Sequence, residues 1–325
     1  MKQFCSSDID KSVLVGQMVA IVGYGSQGRA QALNLRDSGL HVVVAARKLT
    51  SESALTAKAD GFEVMSLAPA TQNATLIMIL TPDETHADVY REISEQVNLA
   101  GKSVGFAHGY AYTYDKLQRG TDSDVILISP KGIGPAVRSQ YLAGSGVAAL
   151  VAVAKDATGL ALKRALAYAA AIGSDRVGIF ETTFEEETTA DLFSEQAVIV
   201  GGMTSLIKSG FDTMVKNGIA PEIAYFECVV EAKLILDMIV EHGFADMFDK
   251  ISNTAEYGAY TAGPVLVDDA SRERLDKIFQ EIKSGEFAKA WDAEVAHGMP
   301  SMDEFRQQWQ DSQINQITTK MRKTP

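Results

Sequence analysis

Cysteine and histidine are scarce in this sequence. The 325 residues include only two cysteines, Cys5 near one end and Cys228 inside an apolar run, so a disulfide framework is not expected. The five histidines are scattered without metal-ligand spacing, which argues against a zinc site built on a His/Cys cluster. This cysteine usage is typical of a protein in a reducing cytosol.

Long hydrophobic runs are also missing. The longest, such as residues 146–154, fall far short of the ~20 residues that a membrane helix needs. The first residues lack the apolar core of a secretory signal and the Arg-rich, acid-poor character of a transit peptide. A net charge of −12 would repel nucleic acid or an anionic membrane on average. We therefore expect a soluble cytoplasmic protein with no nucleic-acid or membrane partner.

The first half of the chain alternates between strands and helices. Continuous apolar segments, typical of strands buried on both faces of a parallel sheet, are separated by helical stretches. The predicted strands are 18–22, 41–46, 75–80, 104–107, 125–129, 147–154 and 176–180. The predicted helices are 26–38, 83–96, 114–119 and 157–172. This alternation predicts an α/β fold with a Rossmann-type, doubly wound and mostly parallel sheet.

The pattern changes after about residue 182. An acidic segment, 181–189, has the composition of a connector, and the chain beyond it contains no convincing strand. The predicted helices there are 191–208, 211–217, 221–242, 268–284 and 287–296. We therefore predict a Rossmann domain at 1–182 and an all-helical domain at 183–325, with the site in a cleft between them.

A G-x-G-x-x-G motif follows the first predicted strand and begins a helix. Gly23 allows the tight turn, Gly25 lets a pyrophosphate approach the backbone, and Gly28 lets the helix pack on the sheet. The amide groups at the start of the helix would bind the phosphates. A lone motif of this kind is weak, but the flanking strand, helix and second strand are all present, so dinucleotide binding is predicted.

The end of the second predicted strand bears on the choice of dinucleotide. NAD-binding sites usually place an acid there, whereas this strand is followed by Arg47 and by the hydroxyls of Thr50, Ser51 and Ser53. A guanidinium with hydroxyls suits the 2′-phosphate of NADP(H), although Glu52 is an unfavourable charge for a phosphate. A solvated surface loop is the alternative. We predict NADP(H).

Two acidic pairs stand in otherwise apolar helices. Asp191 and Glu195 are four residues apart, as are Glu227 and Glu231, so each pair lies on one helix face. A solvated face is the usual explanation for such a pair. Here apolar residues surround both pairs, which predicts helices buried in a core, where carboxylates need cations. Four hard oxygen ligands favour Mg²⁺, so a divalent-metal site, mononuclear or binuclear, is the better hypothesis.

Taken together, these motifs resemble the short-chain class of ketol-acid reductoisomerases, from near the first residue to beyond residue 260. The stretches that carry the resemblance are Gly23-Tyr-Gly-Ser-Gln-Gly28, Phe106-Ala-His108-Gly109, Ser129-Pro-Lys131-Gly132, Asp191-Leu-Phe-Ser-Glu195-Gln-Ala, Pro221-Glu-Ile-Ala-Tyr-Phe-Glu227 with Glu231, and Ile251-Ser252-Asn-Thr-Ala-Glu-Tyr-Gly258. In this order and spacing they are highly specific.

The resemblance implies a reaction and a set of roles. The family converts 2-acetolactate or 2-aceto-2-hydroxybutyrate to the 2,3-dihydroxy-3-methyl acid by alkyl migration and hydride transfer, in branched-chain amino-acid biosynthesis. It implies two Mg²⁺ ions on Asp191, Glu195, Glu227 and Glu231, and substrate on Ser252. His108, Lys131 and Glu231 would be the catalytic residues. The implied NADP(H) contacts are Gly23, Tyr24, Gly25, Ser26, Gln27, Gly28, Arg47, Thr50, Ser51, Ser53, Pro82, Asp83 and Gly134.

The family also implies a quaternary arrangement. Its helical domain is knotted, and paired subunits share their sites, with Glu227, Glu231 and Ser252 donated by the partner. We therefore expect a homodimer or a larger assembly of dimers.

Some positions depart from the family pattern, namely Arg29, Ile133, Pro135, Ser194 and Val230. None is an implied metal ligand. We therefore expect these differences to affect the reaction rate and the substrate preference rather than the class of reaction.

Two alternative functions stay open. A metal-free hydroxyacid dehydrogenase would leave the acidic pairs unexplained, and a homologue that binds NADP(H) without catalysis would show no Mg²⁺-dependent turnover.

Overall fold

The computed structural model describes residues 1–117 and 122–322. The chain divides into two compact units, Met1–Thr188 and Thr189–Pro325. The sequence placed the boundary after residue 182, six residues earlier. The two units differ in secondary structure, and each is described separately below.

The first unit is built on a nine-stranded sheet. Its strands are β1 (Gln3–Phe4), β2 (Met18–Val22), β3 (His41–Ala45), β4 (Glu63–Met65), β5 (Leu76–Ile79), β6 (Ser103–Phe106), β7 (Asp124–Pro130), β8 (Ala149–Lys155) and β9 (Ile179–Glu181). The order across the sheet is β1-β9-β8-β7-β6-β5-β2-β3-β4. All neighbours pair in parallel except β7 with β8 and β1 with β9. The predicted Rossmann-type α/β fold is therefore confirmed.

Helices cover this sheet on both faces. They are α1 (Ser26–Asp37), α2 (Glu52–Ala59), α3 (Leu67–Gln72), α4 (His86–Gln96), α5 (Tyr110–Thr113), α6 (Gly134–Leu142), α7 (Ala161–Ala171) and the first part of α8 (Phe184–Phe193). Alternate residues of each central strand belong to two separate cores: Val19 and Ile21 to one, Ala20 and Val22 to the other. Burial on both faces explains why these strands are apolar throughout.

The described residues of the second unit form helices joined by short turns and include no strand. After the end of α8 come α9 (Gly201–Lys216), α10 (Pro221–Tyr225), α11 (Glu231–His242), α12 (Phe244–Lys250), α13 (Asn253–Leu266), α14 (Asp269–Lys283), α15 (Glu286–Ala296), α16 (Pro300–Asp311) and α17 (Gln313–Arg322). Two π-helical segments, Ser194–Ile199 and Phe226–Val230, interrupt the α-helices. A small core forms around Phe211, Ala224, Tyr225 and Ile314.

Several predicted elements were wrong in detail. The acidic segment 181–189 is not a connector, because β9 ends at Glu181 and α8 begins at Phe184. Residues 114–117 of the helix predicted at 114–119 are not helical; the single turn α5 precedes them, and residues 118–119 lie outside the described part. The short edge strands β1 and β4 were missed because two or three residues give no readable alternation.

A buried ionic cluster joins the amino ends of the neighbouring strands β6 and β7. Asp124, the first residue of β7, is fully buried and accepts hydrogen bonds from Ser103 Oγ, at 2.6 Å, and Arg164 Nη1, at 3.3 Å. It also accepts from the backbone amides of Ala157 and Thr158, both at 2.9 Å. The carboxylate therefore fixes the turn that leads into α7.

We expect Asp124→Asn to lower the free energy of unfolding by about 3–5 kcal/mol, because it leaves the buried Arg164 guanidinium without its counter-charge. Thermal unfolding of the full-length chain, followed by circular dichroism, would show a lower first transition. Asp122→Asn, at an exposed position two residues earlier, is the control and should leave the transition unchanged. An unchanged transition for Asp124→Asn would contradict the assigned role.

Candidate active site

The predicted residues of the first unit gather at one edge of the sheet. Strands β2, β3, β5, β6 and β7 run parallel, so their carboxyl ends all lie at that edge. Gly23, Arg47, Pro82, His108 and Lys131 each follow one of these strands within three residues. The chain reverses its direction of winding between β2 and β5, and such a switch point is where α/β sheets bind their ligands.

The glycine turn after β2 has the geometry of a dinucleotide loop. Gly23 has φ +96°, and a Cβ there would lie 2.9 Å from Leu80 O. A Cβ on Gly28 would lie 2.1 Å from Gly23 O, so only glycine fits at either position. Gly25 faces open space, and no side chain caps the start of α1. The amides of this helix terminus are therefore available to a pyrophosphate, as predicted from the motif.

A cavity of about 260 Å³ lies beside this turn. It is lined by Val22, Gly23, Tyr24, Ala45, Ala46, Arg47, Lys48, Ser51, Ser53, Leu67, Thr81 and Val89. Thr50, also predicted to bind the cofactor, is exposed and is not among the lining residues. Ser51 caps α2 by accepting from Ala54 N at 3.3 Å. The size and the position suit the adenosine end of a dinucleotide.

One wall of the cavity depends on Asp60, which the sequence did not single out. Tyr24 Oη donates to Asp60 Oδ2 at 2.9 Å, and Arg29 Nε donates to the same oxygen at 2.7 Å. Burial and then the Asp60 hydrogen bond raise the pKa of Tyr24 well above its ordinary value, so it stays a hydrogen-bond donor. Asp60 thereby fixes the Tyr24 ring, which packs edge-on against Phe62.

The loop after β7 is tied to the dinucleotide turn. A Cβ on Gly134 would lie 2.2 Å from Ser26 O, so α6 approaches the turn as closely as backbone allows. Gln27 Nε2 donates to Gly132 O at 2.8 Å. The fully buried Gln31 donates to Gln27 Oε1 at 3.0 Å and accepts from Tyr168 Oη at 2.8 Å. Of the predicted contacts, Ser26, Gln27 and Gly134 are therefore brought together.

The turn at Thr81–Asp83 is held by His86. Burial lowers the pKa of His86, which therefore stays neutral at pH 7, and its Nε2 lies 2.8 Å from Thr81 O. Thr85 Oγ1 donates to Pro82 O at 2.7 Å. Pro82 itself is exposed at the edge of the sheet. The turn is thus rigid, with the proline ring left accessible to a ligand.

A buried charged site in this unit is centred on Glu187, in α8. Its side chain is 0% exposed and is contacted by donors from the ends of two neighbouring strands. Gly109 N donates to Oε2 at 3.1 Å, and His108 Nδ1 lies 3.3 Å from the same oxygen. Ser129 Oγ, at 2.8 Å, and Lys131 Nζ, at 3.2 Å, both donate to Oε1. The structure therefore brings His108 and Lys131, two of the three predicted catalytic residues, together on one buried carboxylate; the third, Glu231, lies in the second unit.

The environment keeps Glu187 ionised. Burial alone would raise its pKa, but the hydrogen bond and charge of His108, the charge of Lys131 and the Ser129 hydroxyl outweigh burial and lower the pKa to about 2. The buried charge is in turn the reason why Lys131 and His108 are held at this edge. An uncompensated carboxylate here would be costly.

A sequence signal for Glu187 existed and was missed. Glu187, Asp191 and Glu195 are spaced four residues apart, so the first acidic pair is the end of a longer series. Extending the four-residue period backwards from Asp191 would have identified it. The assignment of 181–189 to a connector concealed it.

The predicted metal ligands lie in or next to the π-helical segments of the second unit. Glu195 and Glu227 belong to the two segments, and Glu231 follows the second directly. Single π-turns inside α-helices occur frequently at functional sites. Asp191 is half-buried, near the end of α8. Ser252 caps α13 by accepting from Ala255 N at 3.2 Å and is exposed.

The expected burial of these carboxylates within the chain was wrong. Glu195, Glu227 and Glu231 are exposed, as are many apolar side chains on the same helices. Among the described residues, no three of the four predicted ligands offer oxygens within 4.8 Å of one another. An apolar helix surface indicates burial, but the sequence does not say whether the covering surface belongs to the same chain.

Comparison with known proteins identifies the family. Residues 13–178 match the family model for the NADPH-binding domain of acetohydroxy acid isomeroreductase, and residues 184–325 match the model for the C-terminal domain of ketol-acid reductoisomerase. The chain belongs to the ketol-acid reductoisomerase family. It is therefore an oxidoreductase of branched-chain amino-acid biosynthesis with a nicotinamide-binding domain.

Solved structures agree with this assignment. An NADH-preferring ketol-acid reductoisomerase from an uncultured archaeon is 38% identical, with a TM-score of 0.97 over 100% of this chain and 99% of the other. A putative oxidoreductase from Jannaschia sp. CCS1 (16% identity, TM-score 0.62) covers 82% of this chain and 97% of its own. The pyrroline carboxylate reductase of Plasmodium falciparum (14%, TM-score 0.54) has the same coverage. The last two show the fold alone.

None of the departures from the reductoisomerase pattern is among the hydrogen-bond partners that the described structure gives Glu187. Ile133 and Pro135 are exposed at the start of α6, and Val230 is exposed in the second π-helical segment. Arg29 pairs with Asp60, and Ser194 Oγ donates to Asp191 O at 3.0 Å. Within residues 1–117 and 122–322, no helix is both long and apolar enough to cross a membrane.

We expect Glu187→Gln to destabilise the reductoisomerase in a pH-dependent way. The folded pKa of about 2 lies below the ordinary value of 4.5, so the ionised carboxylate stabilises the fold above pH 4.5 by roughly 3 kcal/mol. This contribution is lost as the pH falls from 4.5 towards 2. Melting temperatures measured in EDTA across that range should converge for the variant and the wild type. Glu185→Gln, on the exposed side of α8, should show no such convergence.

Proposed function

We propose that the chain catalyses the Mg²⁺-dependent conversion of 2-acetolactate or 2-aceto-2-hydroxybutyrate to the 2,3-dihydroxy-3-methyl acid, with NADPH as reductant. The observation that carries the proposal is the ionised Glu187 site, which holds His108 and Lys131 at the sheet edge that also carries the dinucleotide turn. Positioned donors and a cation at this edge suit a substrate that gains negative charge on oxygen.

The donor set fits the metal that the family implies. Asp191, Glu195, Glu227 and Glu231 offer only carboxylate oxygens, the ligands that Mg²⁺ prefers. When bound, two such ions would supply Lewis-acid stabilisation of the substrate oxygens, and the nicotinamide would supply the hydride. The protein's own part is to orient the substrate and to move protons, for which Lys131, His108 and Glu231 are the candidates. Ser252 keeps a hydroxyl hydrogen for the substrate, because its oxygen accepts from Ala255.

The dinucleotide turn fits the cofactor. Its glycines leave no room for a Cβ at Gly23 or Gly28, while the space beside Gly25 is open. At the adenosine end, Arg47, Lys48, Ser51 and Ser53 line one cavity, and this set of cations and hydroxyls supports NADPH over NADH. The archaeal relative prefers NADH, so the proposed use of NADPH would distinguish this chain from that relative.

The second unit supports a homodimer, or an assembly of dimers, with shared sites. Its helices expose many large apolar side chains, far more than isolated surface residues would explain. These are Val198, Ile199, Val200, Leu206, Ile223, Phe226, Val230, Leu234, Ile235, Leu236, Val240, Phe244, Tyr257, Tyr260, Val265, Leu266 and Val267. Several flank Glu195, Glu227 and Glu231 in sequence, so a second copy that covers them would also complete the ligand set.

A homologue that binds the cofactor without catalysis is the remaining alternative. Nothing in the placement of Ile133, Pro135 or Val230 favours it, because none of them contacts Glu187 in the described structure. A metal-free dehydrogenase is disfavoured, because the models of the ketol-acid reductoisomerase family match residues 13–178 and 184–325.

We expect NADPH oxidation with 2-acetolactate and Mg²⁺, abolished by EDTA. Glu195→Gln should lower kcat roughly hundredfold or more, because it removes a metal ligand. Glu273→Gln, exposed on α14, is the matched control and should retain full activity. Tight NADPH binding without Mg²⁺-dependent turnover would overturn the assignment and leave the non-catalytic alternative.

Shared sites predict complementation between two inactive variants. Co-expressed Glu195→Gln and Glu227→Gln chains should recover up to roughly a quarter of wild-type activity, because half of randomly formed dimers are mixed and one of their two sites is intact. Separately purified variants, tagged differently, provide the baseline. No recovery in the isolated mixed dimer would show that each site is built from one chain.

A further inference from the structure

We propose that Glu92 determines how strongly the enzyme selects NADPH over NADH, by occupying Arg47. This inference rests on the proposed function, since it concerns the cofactor of the same site. Glu92 lies on α4 and was not singled out by the sequence. It belongs to the first unit, as do all the residues discussed here.

The contact between the two side chains is direct. Arg47 Nε donates to Glu92 Oε2 at 3.0 Å. Arg47 stands two residues after β3, at the position where a Rossmann fold meets the 2′ substituent of the adenosine ribose. Val89, one helical turn before Glu92, lines the same cavity as Arg47. The carboxylate is therefore held at the edge of the adenosine cavity.

This ion pair acts against a phosphate in two ways. A guanidinium binds phosphate best through two parallel N–H groups, and Glu92 occupies the Nε group that belongs to such a pair. The carboxylate also offsets the positive charge of the guanidinium, which would otherwise attract a group that carries about two negative charges. NADH has a neutral 2′-hydroxyl at this point and experiences neither effect.

The size of the effect is limited by solvent. The side chains of Arg47 and Glu92 are 43% and 39% exposed, so water and salt screen their interaction. Lys48, Ser51 and Ser53 still line the cavity and favour the phosphate. The structure therefore points to an enzyme that uses both dinucleotides, with the ratio set by Glu92 through Arg47.

The test is the Kd of NADPH and of NADH for the full-length enzyme, measured by calorimetry at low ionic strength. Glu92→Gln should bind NADPH roughly three- to tenfold more tightly and should change NADH binding less than twofold. In an Arg47→Ala background the same substitution should change NADPH binding less than twofold. Glu95→Gln, which removes the same charge from an exposed position on α4, should leave both constants unchanged.

Each other outcome has a defined meaning. An unchanged NADPH-to-NADH ratio in Glu92→Gln, or an equal gain with Glu95→Gln, would overturn the role of Glu92 while leaving the proposed function intact. An undiminished effect in the Arg47→Ala background would show that Glu92 does not act through Arg47 and would likewise overturn the inference. Failure of the wild-type chain to bind either dinucleotide would instead overturn the proposed function, and the inference with it.

Discussion

The buried carboxylate of Glu187 is the interaction on which the rest of the site depends. Removing a charge from water costs several kcal/mol unless it is paired and hydrogen-bonded. Here the compensation comes from Gly109 N, Ser129, Lys131 and His108, at the ends of β6 and β7. Any movement of these strand ends would leave the charge without its donors. One ion therefore fixes the positions of Lys131 and His108, two of the three groups proposed for proton transfer.

The cofactor side of the same sheet edge is organised by close backbone packing rather than by charge. Gly23 and Gly28 allow α1 to lie directly on the turn after β2, and Gly134 brings α6 against Ser26. Polar links through Gln27 and Gln31 connect this turn to the loop that carries Lys131. Charge becomes decisive only at the adenosine end. There the side chains of Arg47 and Glu92 are partly exposed, and a single substitution at either residue would change the net charge beside the cofactor.

The helical unit presents the opposite situation, because its apolar side chains are incompletely covered. The two π-helical segments place Glu195 and Glu227 among exposed valine, isoleucine and phenylalanine side chains. Exposed carboxylates on an apolar surface are stable in a monomer, because water solvates them. A second subunit could cover this surface. The proposed dimer would convert this surface into an interior and would bring the second pair of ligands to the metal.

The sequence by itself determined the parallel sheet and the dinucleotide turn. Strands such as β2 and β3 are largely apolar, and a G-x-G-x-x-G motif follows β2 directly, so both features are readable locally. It also identified Lys131 and His108 through their family motifs. Only the tertiary structure decided that they meet on Glu187, that Asp60 holds Tyr24 and that Glu92 holds Arg47. These contacts join residues 36 to 79 positions apart, and no periodicity in the chain records such a distance.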